Sequence, residues 1–209
     1  MEAAIAAIGD DGPEVSTAQI AARAGVARTR LYRHFDGAED LQRAIADRVT
    51  ELVLAELAPL WESQRSVLET FQAVTTGHLR WLTEHTNLYR YLATHSARGA
   101  TGSGVLTDIR TAIGRYLTGR ITEYLRAAQL DERVAEPVAF ALVGLVESAA
   151  TRWLDNPASV SLDELSEYLT EWAWAVVRQA MGASGLQLDP HQSMPQPAEF
   201  ARQVPLPGA

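Results

Sequence analysis

The chain contains no cysteine and no lysine. The first absence removes disulfide frameworks, Cys-based zinc sites and thiol nucleophiles, and it fits a reducing, cytoplasmic location. The second leaves all 18 cations to arginine, against 26 acids, for a formal charge of −8. Because the lysine shortage runs through the whole chain, it reads as a compositional bias, although arginine is also the better bidentate donor. Residues 1–9 lack a basic leader and hold too short an apolar run for a signal peptide. No run of about 20 apolar residues is evident elsewhere, so no membrane partner is expected. Strand-like alternation is scarce as well. What is present is globular: 47% of 209 residues are hydrophobic and 21% charged. That is enough apolar material for a core, which excludes wholesale disorder, and enough length for one large domain or two small ones.

Apolar residues recur at spacings of three and four nearly throughout, so the fold class is all-α. A short helix over 1–8 meets the breaker Gly9-Asp10-Asp11-Gly12-Pro13. Ser16 and Thr17 offer an N-cap for a helix through Ala24, with Gly25 ending it, and a second short helix follows over 28–33. Two short helices around a glycine turn form a helix-turn-helix pattern. Ala38 opens a long helix, striped by Leu41, Ile45, Val49, Leu52, Val53, Leu57 and Leu60, with Pro59 as its exit or a kink. Ser66 caps the next, Thr86-Asn87 interrupts, and a short segment covers 88–95. The glycine-rich run 98–104 reads as a flexible linker.

Beyond the linker, Leu106, Ile109, Ile113, Leu117, Ile121 and Leu125 mark another amphipathic helix. Two C-terminal helices follow, over about 132–154 and 162–181. The first carries Val138, Leu142, Leu145, Val146, Ala149 and Trp153 on one face, with small residues such as Ala141, Gly144 and Ser148 allowing a neighbour close. The second places Leu162, Leu165, Leu169, Trp172 and Val176 in a helix-packing seam. Five of the nine prolines lie beyond Gly185, and this end reads as irregular or disordered.

Charge is not spread evenly. Residues 15–35 carry Arg23, Arg28, Arg30 and Arg33 and no acid, so the overall −8 splits into +4 on this segment and −12 on the rest. A body of that charge repels nucleic acid, whereas clustered arginines attract phosphate. Within the segment Ile20, Ala21, Ala24, Val26, Leu31 and Phe35 have the spacing of a small core. Arg28, Thr29, Arg30, Tyr32, Arg33 and His34 remain as a row of donors; Arg23 is expected to pair within the molecule.

These residues, Thr17, Ile20, Ala21, Ala24, Gly25 and Val26 followed by Leu31-Tyr32-Arg33-His34-Phe35, resemble the DNA-binding domain of the TetR family of transcriptional regulators over about 15–41. The resemblance implies an N-terminal three-helix helix-turn-helix DNA-binding domain over 1–45. A larger helical ligand-binding and dimerisation domain would cover 46–184, and a Pro-rich tail 185–209. It also implies that the second short helix enters the major groove, whose base edges carry a sequence-distinct pattern. Arg28 and Thr29 would touch bases and Arg30 would share between base and phosphate, while Tyr32, His34 and Thr17 would hold phosphates. The chain departs from the family at Ala38, where many members carry a lysine, and in having no basic arm ahead of the first helix. The departures imply either a truncated or mis-chosen start or a lower affinity resting on fewer phosphates.

By the same resemblance the middle helices enclose a small-molecule pocket. Trp61, Phe71, Trp81, Leu82, Tyr89, Tyr91, Tyr116, Phe140 and Trp153 are wall material, about half of it expected to be plain core. His78 and Glu147 add polar points; Glu147 lies in an otherwise apolar helix, which favours an apolar or weakly cationic effector over an anion. His78 and His85, seven apart, read as packing residues and not as metal ligands. The 98–104 run lacks the Lys-Ser/Thr of a phosphate loop, and no nucleophile elbow or metalloprotease helix occurs. Neither enzyme activity nor a cofactor or metal is expected. The resemblance thus implies a homodimeric repressor, paired through the last two long helices, that binds a palindromic operator and is released by a small apolar molecule. The alternatives are a helical adaptor that no longer binds DNA, and an all-helical enzyme using the same cavity.

Overall fold

The structure, a computed structural model, describes residues 1–62, 65–96, 104–183, 185–193 and 195–203. Its helices are α1 (Glu2–Asp11), α2 (Thr17–Arg23), α3 (Arg28–Leu31), α4 (Ala38–Glu62), α5 (Val67–Glu84) and α6 (Thr86–Ser96), followed by α7 (Val105–Ala127), α8 (Ala135–Asp155), α9 (Leu162–Ala183) and α10 (Pro197–Gln203). A 3-10 turn at Glu132–Val134 leads into α8. There is no strand among the described residues. Two compact units form, one of Met1–Leu54 with Leu82–Arg110 and one of Ala55–Trp81 with Thr111–Ala209.

In the first unit α1 buries Ala4, Ala7 and Ile8, α4 buries Leu41, Ile45, Ala46 and Val49, and α6 buries Leu88, Tyr89, Tyr91 and Leu92. Helical spacing puts each set on one face, so their contact removes apolar area from water. Arg48 bridges Glu2 at 2.9 Å and Glu51 at 3.0 Å, and the Asn87 side-chain amide donates to the Gly9 carbonyl at 2.8 Å.

Several expected boundaries shift. α1 runs through Gly9-Asp10-Asp11 and stops only at Gly12, whose φ of 95° no other residue type adopts readily. A helical glycine costs roughly 1 kcal/mol, which the surrounding contacts outweigh. α4 passes through Pro59 to Glu62, since proline's fixed φ is helical and only one hydrogen bond is forgone near the end. α3 closes at Leu31, two residues short of the expected 33. The 98–104 linker falls almost wholly outside the described residues.

In the second unit Phe71 joins Val138, Leu142 and Ala173 in one core cluster of α5, α8 and α9. A buried hydroxyl cluster ties α5 to α9. The Thr75 Oγ1 lies 3.0 Å from both the Ser166 Oγ and the Thr170 Oγ1, and the Thr76 Oγ1 2.6 Å from the Ser166 Oγ. Each hydroxyl thus finds a partner in place of water, as buried polar groups require. Ser161 and Glu164 cap α9 reciprocally, and the Trp153 indole donates to the Val160 carbonyl at 2.9 Å across the turn before it.

Over its described residues, 185–193 and 195–203, the proline-rich end is largely irregular before α10, as expected, but it is anchored. The Leu68 N–H donates to the Pro190 carbonyl at 3.2 Å and the Tyr124 hydroxyl to that of Pro195, also at 3.2 Å. Leu186 and Phe200 are buried with Leu125, Ala128, Ala135 and Met181. Proline lacks a donor but keeps its acceptor, and two large apolar side chains anchor this irregular segment.

One expectation for α9 needs correction. Leu165 and Leu169 of the α9 seam are buried, but Trp172 turns outward and is 47% exposed beside Tyr168 at 43%. An 18-residue window within Glu132–Asp155 is long and apolar enough to cross a membrane by length and composition, a test that core helices also pass. Val138, Ala139, Leu142, Ala150 and Trp153 are buried on one side, whereas Ala141, Gly144 and Ser148 are exposed on the other.

Candidate nucleic-acid interface

Ser16 caps α2: its hydroxyl accepts from the Gln19 N–H at 3.3 Å, and the Gln19 side chain accepts from the Ser16 N–H at 2.9 Å. This capping box leaves Thr17, one residue on, free to use its side chain elsewhere. α2 ends where Gly25 takes φ 66°, with the Gly25 N–H on the Ala22 carbonyl and the Val26 N–H on the Ala21 carbonyl, both at 3.0 Å. That paired closure turns the chain sharply into α3. Ile20, Ala21 and Leu31 are buried and Val26 and Phe35 half-buried, as expected; Ala24 is exposed, because the turn begins there and carries it off the packed face.

The reversal brings Thr17 to Tyr32, their hydroxyl oxygens 3.1 Å apart. Arg28, one turn before Tyr32, donates to the same phenol oxygen at 3.4 Å and stacks its guanidinium 5.4 Å from the ring centroid. The Thr17 hydroxyl first, and Arg28 second, hold the Tyr32 phenol below the usual tyrosine range. Thr29, Arg30, Arg33 and His34 are exposed, with no side-chain partner among the described residues. Arg23 pairs with Asp10.

The residues expected around an effector divide. Leu82 and Tyr89 are buried in the first unit, whereas Phe71, His78, Trp81, Tyr116, Phe140 and Glu147 belong to the second. The Trp61 side chain lies outside the described residues. Phe71 is core, packed on Val138, Leu142 and Ala173. Trp81 and Tyr116 are half-buried, and Phe140 is 36% exposed with its ring over Gly114. His78 and Glu147 meet, Nε2 to Oε2, at 3.4 Å across α5 and α8. Tyr91 is fully buried in the first unit; burial raises its phenol above the usual range. Sequence reasoning missed Tyr168, which stacks on Trp172 with ring centroids 5.8 Å apart. Its signal was an aromatic pair at i, i+4 on α9.

Comparison with known proteins agrees with this arrangement. Residues 1–45 match the model of the bacterial regulatory proteins, tetR family, and residues 67–176 that of the tetracyclin repressor-like C-terminal domain. An uncharacterized HTH-type transcriptional regulator of Mycobacterium tuberculosis is 28% identical over 199 residues, 95% of this chain and 83% of that protein. Among solved structures, FadR from Bacillus subtilis in complex with stearoyl-CoA is 21% identical with a TM-score of 0.59, covering 82% of this chain and 94% of that one. A transcriptional regulator from Rhodococcus sp. Rha1 is 20% identical with a TM-score of 0.65, covering 88% of this chain and 97% of that one. With one family model on the helix-turn-helix and another on more than half of the chain, the protein belongs to the TetR family of transcriptional regulators.

Proposed function

We propose that this regulator is a cytoplasmic, ligand-responsive repressor that binds a palindromic operator as a homodimer and is released by a small apolar molecule. The observation that carries the DNA half is the set of unengaged donors, Thr29, Arg30, Arg33 and His34, standing beside the Thr17–Tyr32 pair on an otherwise acidic chain. Residues 1–45 serve as reader and 46–184 as sensor and dimerisation body; of the Pro-rich tail 185–209, Leu186 and Phe200 are anchored in the second unit's core. Pairing through α8 and α9 is supported by the exposed Tyr168 and Trp172 on α9 and by the exposed Phe140, Ala141, Gly144 and Ser148 on α8. Two-fold pairing of readers demands two-fold symmetric half-sites.

Release requires the effector to bind the non-DNA-binding spacing of the two readers more tightly than the DNA-bound one; only that difference shifts the equilibrium. α4 starts in the first unit and ends in the second, and serves as the lever. The effector is apolar, neutral or weakly cationic at its head, because the half-buried Glu147 beside His78 disfavours an anion there. A neighbour crystallised with stearoyl-CoA supports an acyl chain as the apolar part. The test joins both halves: binding to DNA from in front of the gene at 50 and 200 mM salt, then titration with decanol, decylamine, decanoate and stearoyl-CoA, read by tryptophan fluorescence and by DNA release. Binding that falls steeply with salt and is relieved by an apolar compound is expected; equal affinity for any DNA overturns the operator, and a clear preference for decanoate overturns the effector charge.

A further inference from the structure

We infer that Arg28 is a positioning residue of a phosphate contact made by Tyr32, and that sequence reading in α3 falls to Thr29 and Arg30; this rests on the operator-binding reading above. Arg28 is already occupied. Its guanidinium lies over the Tyr32 ring, 5.4 Å from the centroid, and donates to the phenol oxygen at 3.4 Å. Reading a guanine edge takes the two-pronged face of a guanidinium. A fork that uses Nη2 can be offered only by giving up the bond to the phenol oxygen, and with it the anchor that holds the guanidinium over the ring.

The hydrogen-bond count explains what the arrangement is for. A guanidinium only donates, so at Arg28 the Tyr32 oxygen accepts. Between Thr17 and Tyr32, 3.1 Å apart, one hydroxyl donates and the other keeps its proton for an outside acceptor. With Thr17 donating as Arg28 does, the phenol becomes more acidic and hence a stronger hydrogen-bond donor, in line with its lowered range. A strong, single O–H held beside a fixed positive charge suits a phosphate oxygen, which accepts from any direction and carries no sequence information. Arg30 differs in kind: it is exposed, its side chain has no partner among the described residues, and its fork is free to read.

The experiment enriches double-stranded oligonucleotides from a random pool on the full-length wild type, then compares the consensus and affinity of R28A, R30A, Y32F and R28A/Y32F. All these positions are exposed, and circular dichroism checks that each variant is folded. R28A is expected to keep the wild-type consensus at every position while binding all sequences about tenfold more weakly, with a shallower salt dependence. R30A should lose preference at a defined base pair. The loss in R28A/Y32F should fall well below the product of the two single losses, because Arg28 acts through Tyr32. Loss of preference at a base pair in R28A, or single losses that multiply, would overturn the assignment. Failure of the wild type to enrich any sequence would overturn the operator reading and the assignment with it.

Discussion

The ring of Phe140 lies on Gly114: a methyl group at that glycine would meet the ring's Cζ at 2.7 Å, closer than side chains approach one another. A glycine inside a helix as long as α7 costs roughly 1 kcal/mol against alanine, so the close approach explains its presence. Phe140 is 36% exposed, however, and its ring can swing outward. Gly114→Ala should therefore leave stability within about 1 kcal/mol of wild type, the helical gain offsetting the displaced ring. Gly114→Leu, too large for that adjustment, should cost about 1 to 3 kcal/mol. Urea denaturation separates the two; a loss above about 2 kcal/mol for alanine would mean that the ring is locked in place.

Phe200 makes the C-terminal strap an integral part of its unit. It is buried and meets the Tyr124 ring edge to face with centroids 5.5 Å apart. Phe200→Ala removes a large buried ring and should cost about 3 kcal/mol, whereas Gln187→Ala, an exposed change on the same strap, should be silent. Equal urea midpoints for Phe200→Ala and wild type would show that the strap adds nothing to the fold.

How far the sequence revealed these features depends on how local their causes are. Ser16, Gly25 and the Leu31-Tyr32-Arg33-His34-Phe35 run were legible because caps, left-handed turns and short-range packing are written within a few residues of where they act. The strap was not, because the partners of Phe200 and Pro195 lie near residue 124, more than 70 positions away. The same holds for Thr75 and Ser166, 91 apart, whose hydroxyls look like surface until folding pairs them. Trp172 fits a helix seam by spacing alone, but a stripe wider than one partner needs cannot all face inward. His78 and Glu147 were each suspected; that they meet is a tertiary fact.

Tyr91 gives the fold an alkaline limit. It is 1% exposed, its ring centroid is 4.3 Å from that of His95, and burial raises its phenol above the ordinary value while a bond from Gln42 lowers it in part. The folded state therefore holds the proton more tightly than the unfolded chain. This contribution is complete below about pH 10, the ordinary tyrosine value. It is lost as pH rises through the higher folded value. Urea midpoints measured from pH 8 to 11 should fall above pH 10 more steeply in wild type than in Tyr91→Phe. Identical alkaline slopes would mean that the phenol is not held neutral.

Trp172 bears most directly on assembly. At 47% exposure, stacked on the 43% exposed Tyr168, it presents a large apolar surface to solvent on α9 with no core reason for being there. Aromatic anchors of this kind often contribute about 2 kcal/mol or more to an interface when buried by a partner. Trp172→Glu should leave the helical content unchanged, since the side chain does not enter the core, while shifting dimer to monomer at micromolar concentration in light-scattering chromatography. Because the two readers would then bind half-sites independently, affinity for a palindromic fragment should fall by more than tenfold while affinity for a single half-site is unchanged. A Trp172→Glu variant that remains dimeric with full palindrome affinity would move the interface off this face of α9, leaving Phe140 and the small residues of α8 to carry it.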